Sequence, residues 1–129
     1  MENYLENLKV TIGITCFNAE GTIKNAIESA LNQSWEKKEI LIVDDYSDDK
    51  SREIINNFKK YKNIKIILNK TNMGASFSRN QIVKNSKGDI ICFMDDDDIS
   101  LKDRVKNQVI KITKVGDPRK NIIACTCSI

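Results

Sequence analysis

The chain alternates short apolar runs with segments in which apolar residues recur at helical spacing. The apolar runs have the length and the β-branched content of strands, and they predict strands at residues 10–16, 39–43, 64–68, 89–94 and 121–127. The run at 39–43 is apolar throughout after Glu39, as expected for a strand that is covered on both faces.

Helical spacing fills the intervals between these runs. The first apolar stripe is Ile23, Ala26, Ile27, Ala30 and Leu31, and the second is Ile54, Ile55, Phe58 and Tyr61. A third helix is predicted at 75–85, and Ser100 with Asp103 resembles a capping box that opens a fourth, with the stripe Leu101, Val105, Val109 and Ile112. This alternation predicts an α/β fold, a three-layer α/β/α sandwich with a mostly parallel sheet, over one domain at residues 1–129.

Candidate site residues lie where three of the predicted strands end. Thr15, Phe17 and Asn18 end the first strand, Asp44 and Asp45 follow the second, and Asp95 to Asp98 follow the fourth. Ligands of parallel α/β sheets bind outside the carboxyl ends of the strands, so these side chains are expected to meet at one edge.

The run of four aspartates indicates a cation. Adjacent carboxylates repel by roughly 4 kcal/mol at about 4 Å near a protein surface, so a counter-charge is expected there. An EF-hand beginning at Asp95 fails, because Ser100 and Lys106 stand where glycine and glutamate are needed. A solvated turn is the alternative, but Mg²⁺ or Mn²⁺ at a substrate diphosphate fits better, with Asp97 as the first choice of ligand.

The acidic loop after the second strand divides into two pairs. Asp48 and Asp49 suit the N-terminus of the next helix, as caps and as partners of its dipole. Asp44 and Asp45 come before the turn, where a carboxylate can accept hydrogen bonds from a ribose hydroxyl or a base N–H.

The segment that opens the third helix is also a candidate site. Gly74 and its small neighbours would let a phosphate approach the helix N-terminus. Arg79 falls on the stripe Ala75, Arg79, Ile82, Val83 and Ser86, which is expected to face the sheet. Two interpretations of Arg79 stay open on spacing alone, a structural ion pair with an acidic loop and a place beside a nucleotide.

Composition excludes several classes of protein. The 129 residues are 40% hydrophobic and carry a net charge of +3 without a dense basic patch, which disfavours nucleic-acid binding. Histidine is absent and no Cys-x-x-Cys occurs, which disfavours a zinc site. The four cysteines are expected to be small buried thiols in a reducing compartment. No apolar run reaches membrane-span length, so a cytoplasmic protein is expected, with any membrane contact contributed by residues beyond Ile129.

A phosphoacceptor receiver domain is a rival α/β fold with clustered aspartates. It would need an acidic pair after the first strand and a lysine after the fifth, where this chain has Phe17-Asn18 and Ser128-Ile129. Neither a Walker-type phosphate loop nor Gly-x-Gly-x-x-Gly occurs.

Four motifs in order resemble the N-terminal half of a family 2 glycosyltransferase with the Rossmann-like GT-A type fold. They are the opening strand and turn at 10–18, the Val-Asp-Asp-x-Ser-x-Asp-like loop after Glu39, the Gly-x-x-x-x-Arg-Asn helix start at 74–80, and the Asp-x-Asp-Asp loop at 95–98. The resemblance covers residues 9–109.

This resemblance implies a role for each matching position. Thr15 and Phe17 would line the nucleotide pocket, Asp45 would contact the base with Asp44 beside it, and Arg79 would lie by the base or ribose. Asp95 would face the ribose or sugar. Asp95 and Asp97 would match the metal-binding Asp-x-Asp pair, with Asp97 as the ligand that holds the cation on the diphosphate. Asp98 would support the loop and approach the donor sugar, and Asp96 would be spare.

The implied reaction is metal-assisted transfer of a sugar, with inversion, from a nucleoside-diphosphate sugar to an acceptor hydroxyl on a glycan or lipid-linked acceptor. UDP is the default nucleotide, Mn²⁺ or Mg²⁺ the cation, and polysaccharide or glycoconjugate synthesis the setting. The general base is expected beyond Ile129, so the chain is expected to be the donor-binding part of a longer enzyme. A non-catalytic module that binds nucleotide and divalent cation is the alternative.

Overall fold

The computed structural model describes residues 2–120, and the predicted strand at 121–127, with Cys125 and Cys127, lies outside them. The helices are α1 (Glu2–Glu6), α2 (Ile23–Leu31), α3 (Ser51–Asn56), α4 (Ala75–Asn85) and α5 (Arg104–Val115). The strands are β1 (Val10–Cys16), β2 (Lys38–Asp44), β3 (Ile64–Leu68) and β4 (Ile90–Asp95). No helix within this described part is long and apolar enough to cross a bilayer.

The four described strands form one parallel sheet in the order β3-β2-β1-β4. In its register Thr15 lies between Val43 and Asp95, and Cys16 lies beside Asp44. The carboxyl ends of β1, β2 and β4 therefore lie side by side, and the predicted α/β fold with a parallel sheet is confirmed.

The larger core lies on the face of the sheet that α2, α3 and α5 cover. Alternate residues of β1, β2 and β4 point into it, and the apolar stripes of α2 and α5 close it. Cys16 and Cys92 are buried there as thiols and not as a disulfide, as predicted. Burial, with a smaller contribution from the nearby Asp44 charge, raises the pKa of Cys16 to about 12, so this thiol is inert at neutral pH.

The opposite face carries α4, which packs on β1 and β2 through Ile82 against Leu41 and Val43. The close approach depends on Gly13, because a Cβ at that position would lie 2.5 Å from Ile82 Cγ2. Only a residue without a side chain lets α4 lie this close to β1.

Two predicted helices begin or end elsewhere. α3 ends at Asn56, and the chain continues in tight turns in which Phe58 N–H donates to Ile55 O, so Phe58 is buried while Tyr61 is exposed. The capping box at Ser100 is wrong: α5 begins at Arg104, and Leu101 is 80% exposed. Gln33, from the end of α2, accepts from Val105 N–H and donates to Leu101 O, so a distant side chain caps this helix.

Candidate nucleotide and cation site

A cleft of about 430 Å³ opens at the carboxyl ends of β1, β2 and β4, where the sequence places the candidate residues. Its walls include Thr15, Phe17, Asp45, Arg79, Asp95 and Asp97, all six of which the sequence singles out. The topology brings them together because parallel strands end at the same edge of the sheet.

Asp45 forms the floor of the cleft next to the start of α4. Its Oδ1 accepts from Met73 N–H at 2.8 Å and from the Asn69 side chain at 3.0 Å, and its Oδ2 accepts from Gly74 N–H at 2.8 Å. Burial opposes ionisation, but these three donors outweigh it and lower the pKa of the Asp45 carboxyl. Asp45 is thus a fixed anion at neutral pH.

The N-terminus of α4 is occupied by this carboxylate of the chain itself. Gly74, with φ 93°, precedes the helix and turns its N–H toward Asp45. A phosphate at this helix start, as the sequence suggested, would meet the negative charge of Asp45.

Asp44 does not line the cleft, which corrects its expected place beside the nucleoside. It lies in register with Cys16 and points to the α2 and α3 side of the sheet, whereas the next residue, Asp45, points to the α4 side. Asp44 is fully buried and accepts from Arg52 Nε at 2.7 Å and from Ser47 N–H at 3.0 Å. Its role is to fix the loop that carries Asp45.

The loops after β1 and β2 are joined to each other. Asn18 N–H donates to Ser47 Oγ and Asp48 N–H donates to Asn18 Oδ1, both at 2.9 Å. Asp49 accepts from Ser51 N–H at 2.8 Å, but the N-cap of α3 is Lys50, without a side-chain capping bond, so the prediction that Asp48 and Asp49 cap this helix is wrong. These contacts hold Phe17 and Asp45 at fixed positions across the cleft.

Three carboxylates of the aspartate run are close enough to share a cation. Oxygens of Asp95, Asp97 and Asp98 all lie within 4.8 Å of one another, and all three side chains are exposed. Asp98 N–H donates to Asp95 O at 3.2 Å, which closes the turn. The donor set consists of hard oxygens and fits Mg²⁺ or Mn²⁺.

Asp96 is not spare, contrary to the sequence-based expectation. Its Oδ2 accepts from Phe17 N–H at 3.0 Å and so ties the aspartate turn to the end of β1. Burial raises the pKa of the Asp96 carboxyl, helped by the charges of Asp97 and Asp95 and opposed by the Phe17 N–H.

Arg79 lines the cleft and also pairs with the acidic turn. Its Nη2 lies 3.7 Å from Asp95 Oδ1, and both side chains are about half exposed. The predicted stripe is wrong by one position, because Ser78 and Ile82 face the sheet while Arg79 and Val83 do not. Arg79 therefore pairs with an acidic loop and also faces the cleft, and a place beside a nucleotide stays a prediction.

Arg52, Asn69 and Ser78 belong to the support of the site and were missed in the sequence. Arg52 Nη2 donates to Asn69 O at 2.6 Å, and the Asn69 amide donates to both Asp45 and Ser78 Oγ. Asn69 directly follows β3, so the strand-end rule that found the other residues also applies to it. Arg52 carries no such signal, because it lies in a helix with an ordinary polar pattern.

The sequence model of glycosyl transferase family 2 matches residues 11–122 of this chain. The chain belongs to glycosyl transferase family 2. An uncharacterized glycosyltransferase of Haemophilus influenzae is 39% identical over 101 residues, which are 78% of this family 2 chain and 40% of the relative. The Escherichia coli UDP-Glc:alpha-D-GlcNAc-diphosphoundecaprenol beta-1,3-glucosyltransferase WfaP is 40% identical over 102 residues, which are 78% of this chain and 39% of the relative.

Solved structures share the fold of this family 2 chain. S. aureus TarS 1-349 in complex with UDP aligns with a TM-score of 0.74 at 27% identity, covering 83% of this chain and 32% of that chain. The Pyrobaculum calidifontis mannosyltransferase PcManGT, in complex with GDP-Man and Mn²⁺, aligns with a TM-score of 0.74 at 18% identity, covering 79% of this chain and 31% of that one, and shows the fold alone. The family 2 chain thus spans about two fifths of the length of the two curated relatives.

Proposed function

We propose that residues 1–129 form the donor-binding domain of an inverting, metal-assisted glycosyltransferase. It binds a nucleoside-diphosphate sugar, a UDP-sugar by default, and the sugar passes to a hydroxyl of a glycan or lipid-linked acceptor in polysaccharide or glycoconjugate synthesis. The observation that carries this proposal is that Asp45, Arg79 and the Asp95–Asp97 pair line one cleft at the carboxyl end of the sheet. The UDP complex of TarS, a structure with the same fold, supports the choice of nucleotide.

The nucleoside is assigned to the Asp45 end of the cleft. Asp45 Oδ2 accepts only one hydrogen bond from the described residues, from Gly74, and has room to accept a second from a base N–H. Phe17 is 49% exposed and supplies an aromatic surface on the cleft wall for the base or ribose. A uracil N–H meets the acceptor at this end.

The diphosphate is assigned to the opposite end. Asp97 and Asp95 would hold the divalent cation, and Asp98 is near enough to contribute an oxygen. A cation bound there supplies Lewis acidity, which neutralises charge on the departing nucleoside diphosphate. Arg79 adds a positive charge beside Asp95, and Asp96 keeps the turn against β1 through Phe17 N–H.

No described carboxylate of the cleft is assigned as the general base. Asp45 and Asp96 accept backbone N–H groups, and Asp95 and Asp97 are assigned to the cation. The base that deprotonates the acceptor hydroxyl must come within hydrogen-bond reach of it, and we assign it to a part of the enzyme outside residues 2–120.

Calorimetric titration of UDP, GDP and dTDP with Mn²⁺ and with EDTA tests the proposal. UDP is expected to bind in Mn²⁺ and to lose at least about tenfold in affinity in EDTA and in Asp97→Asn, since losing a direct ligand costs no less than losing a supporting residue. Asp48→Asn removes an exposed carboxylate outside the cleft and serves as the matched control. Nucleotide binding that is indifferent to metal and to Asp97→Asn would contradict the proposal, and cation binding indifferent to nucleotide would favour a signalling or cation module.

A further inference from the structure

The two ends of the sheet carry opposite charge. The aspartates of the cleft lie at the carboxyl ends of the strands, whereas a depression of about 460 Å³ lies at the amino ends. Five lysines and one carboxylate line it, Lys9, Lys38, Lys62, Lys65, Lys87 and Glu39, which gives these six residues a formal charge of +4. We infer that this basic depression is a docking surface for an anionic membrane.

Three of the five lysines are available to an outside partner. Lys9 pairs with Glu39 at 3.2 Å, and the Lys38 ammonium donates to the carbonyl oxygens of Gln33 and Trp35, both at 3.0 Å. Lys62, Lys65 and Lys87 are exposed and form no ion pair with any residue between 2 and 120. Asp89 also lies at this end, where its exposed carboxylate accepts from Lys9 N–H at 2.9 Å, and it forms no ion pair with these three lysines.

The chemistry of the surface fits a diffuse layer of negative charge better than one fixed phosphate. No arginine lines the depression, and lysine is a flexible point charge without the fork that grips a phosphate at two oxygens. Lys59 and Lys60 lie in the turn before β3, at the same end of the sheet, and Tyr61 beside them is 40% exposed. Lysines with an exposed tyrosine match the headgroup region of a bilayer.

The separation of charge also fixes an orientation. β1 has seven residues, so roughly 20 Å separates the basic depression from the aspartates of the cleft. A phosphate held in the depression is therefore too far away to present an acceptor hydroxyl to the cleft. An anionic surface attracts the lysine end and repels the aspartate end, so docking holds the cleft roughly 20 Å from the headgroups.

Sedimentation with vesicles of phosphatidylcholine, with and without phosphatidylglycerol, tests this docking surface. The chain is expected to bind only vesicles that contain phosphatidylglycerol and to be released by high salt. The triple variant Lys62→Gln, Lys65→Gln and Lys87→Gln is expected to bind about a hundredfold more weakly, from the contribution of three lysines near an anionic surface. The control Lys24→Gln, Lys70→Gln and Lys106→Gln removes the same charge from exposed positions at the other end and is expected to retain binding.

Two results would overturn the inference. One is that the wild-type chain does not bind vesicles that contain phosphatidylglycerol, whether or not it binds soluble polyphosphate. The other is equal vesicle binding by the two triple variants, which would make the attraction a matter of net charge alone. UDP titration of both triple variants measures nucleotide binding in the cleft independently of vesicle binding. A loss of vesicle binding is therefore distinguishable from a loss of the proposed nucleotide site or of the fold.

Discussion

Arg52 donates its Nε–H to Asp44 Oδ2 at 2.7 Å, and the Asp44 side chain is completely excluded from solvent. The same guanidinium reaches Asn69 O at 2.6 Å and lies 5.3 Å from the centre of the Tyr46 ring. Tyr46 has φ 64°, a left-handed conformation that is unusual for a bulky residue and that these contacts sustain. One arginine therefore ties the ends of β2 and β3 to α3 just outside the cleft.

Arg52→Met is expected to lower the free energy of unfolding by about 2–3 kcal/mol, because it leaves the buried Asp44 carboxylate without its positively charged partner. The loss is smaller than for a fully buried ion pair because the Arg52 side chain is 30% exposed. Urea unfolding measures it. The double variant Arg52→Met, Asp44→Asn is expected to recover part of the loss, since no unpaired charge remains. Strictly additive losses would contradict this role for the pair.

Asp45→Asn is expected to destabilise the chain by about 2 kcal/mol at pH 7, because an amide replaces a carboxylate that accepts three hydrogen bonds. The pKa of Asp45 is lowered from the ordinary 3.8 in the folded state, so its ionised form contributes stability above pH 3.8. That contribution is lost as the pH falls below 3.8 through the folded-state pKa.

Thermal unfolding of wild type and Asp45→Asn across pH 2 to 7 therefore gives curves that are expected to converge in acid. Asp48→Asn, an exposed change in the same loop, is the control and is expected to alter stability by less than about 0.5 kcal/mol. A gap between wild type and Asp45→Asn that stays constant down to the lowest pH would show that the charge of Asp45 contributes nothing.

Arg79→Met is expected to separate binding from stability. The pair with Asp95 is 46% and 60% exposed, so its loss is expected to change the free energy of unfolding by less than about 0.5 kcal/mol. UDP affinity in Mn²⁺ is expected to fall about tenfold, the equivalent of one charge-assisted contact. Calorimetry measures the UDP affinity and urea unfolding measures the stability, with Lys84→Met on the same helix as the control. Equal UDP affinities for Arg79→Met and Lys84→Met would show that Arg79 does not contribute to UDP binding.

Gly13→Ala is expected to destabilise the fold by about 1–3 kcal/mol, because the new Cβ would lie 2.5 Å from Ile82 Cγ2 and push α4 from the sheet. Ile82→Ala alone removes a buried side chain at a cost of about 2–5 kcal/mol. The two changes together are expected to cost less than their sum, which a double-mutant cycle in urea measures. Additive costs would mean that the contact is not the origin of the effect.

β2 and β4 were predictable because each contains a continuous apolar run, at 40–43 and 90–94, that polar residues follow. Strand alternation also predicts that the side chains of Asp44 and Asp45 point to opposite faces of the sheet. Which of the two faces the cleft depends on which face of the sheet α3 and α4 each cover. That choice is made by packing, with Gly13 receiving Ile82 on one side and Arg52 reaching Asp44 on the other. The local sequence pattern predicts neither of these two contacts.

Helix ends were less predictable where the partner is distant in sequence. Gln33 caps α5 from 72 residues away, which no capping motif near Ser100 could reveal. In α4 only Ser78 and Ile82 are buried. Apolar spacing alone therefore predicted a sheet-facing stripe that was wrong by one position, with Arg79 in place of Ser78. The role of Asp96 depends likewise on Phe17 N–H, 79 residues earlier in the chain.

The two ends of the cleft differ in how complete they are before a ligand arrives. Three donors immobilise Asp45, and the links between Asn18, Ser47 and Asp48 fix the neighbouring loops, so a nucleoside meets a preorganised surface and little conformational entropy is lost there. Asp95, Asp97 and Asp98 are like charges held within 4.8 Å, a tense arrangement that a cation relaxes. In the proposed donor complex, a nucleoside would bind with a small loss of conformational entropy and a cation would relieve electrostatic repulsion, and a diphosphate between them would couple the two effects.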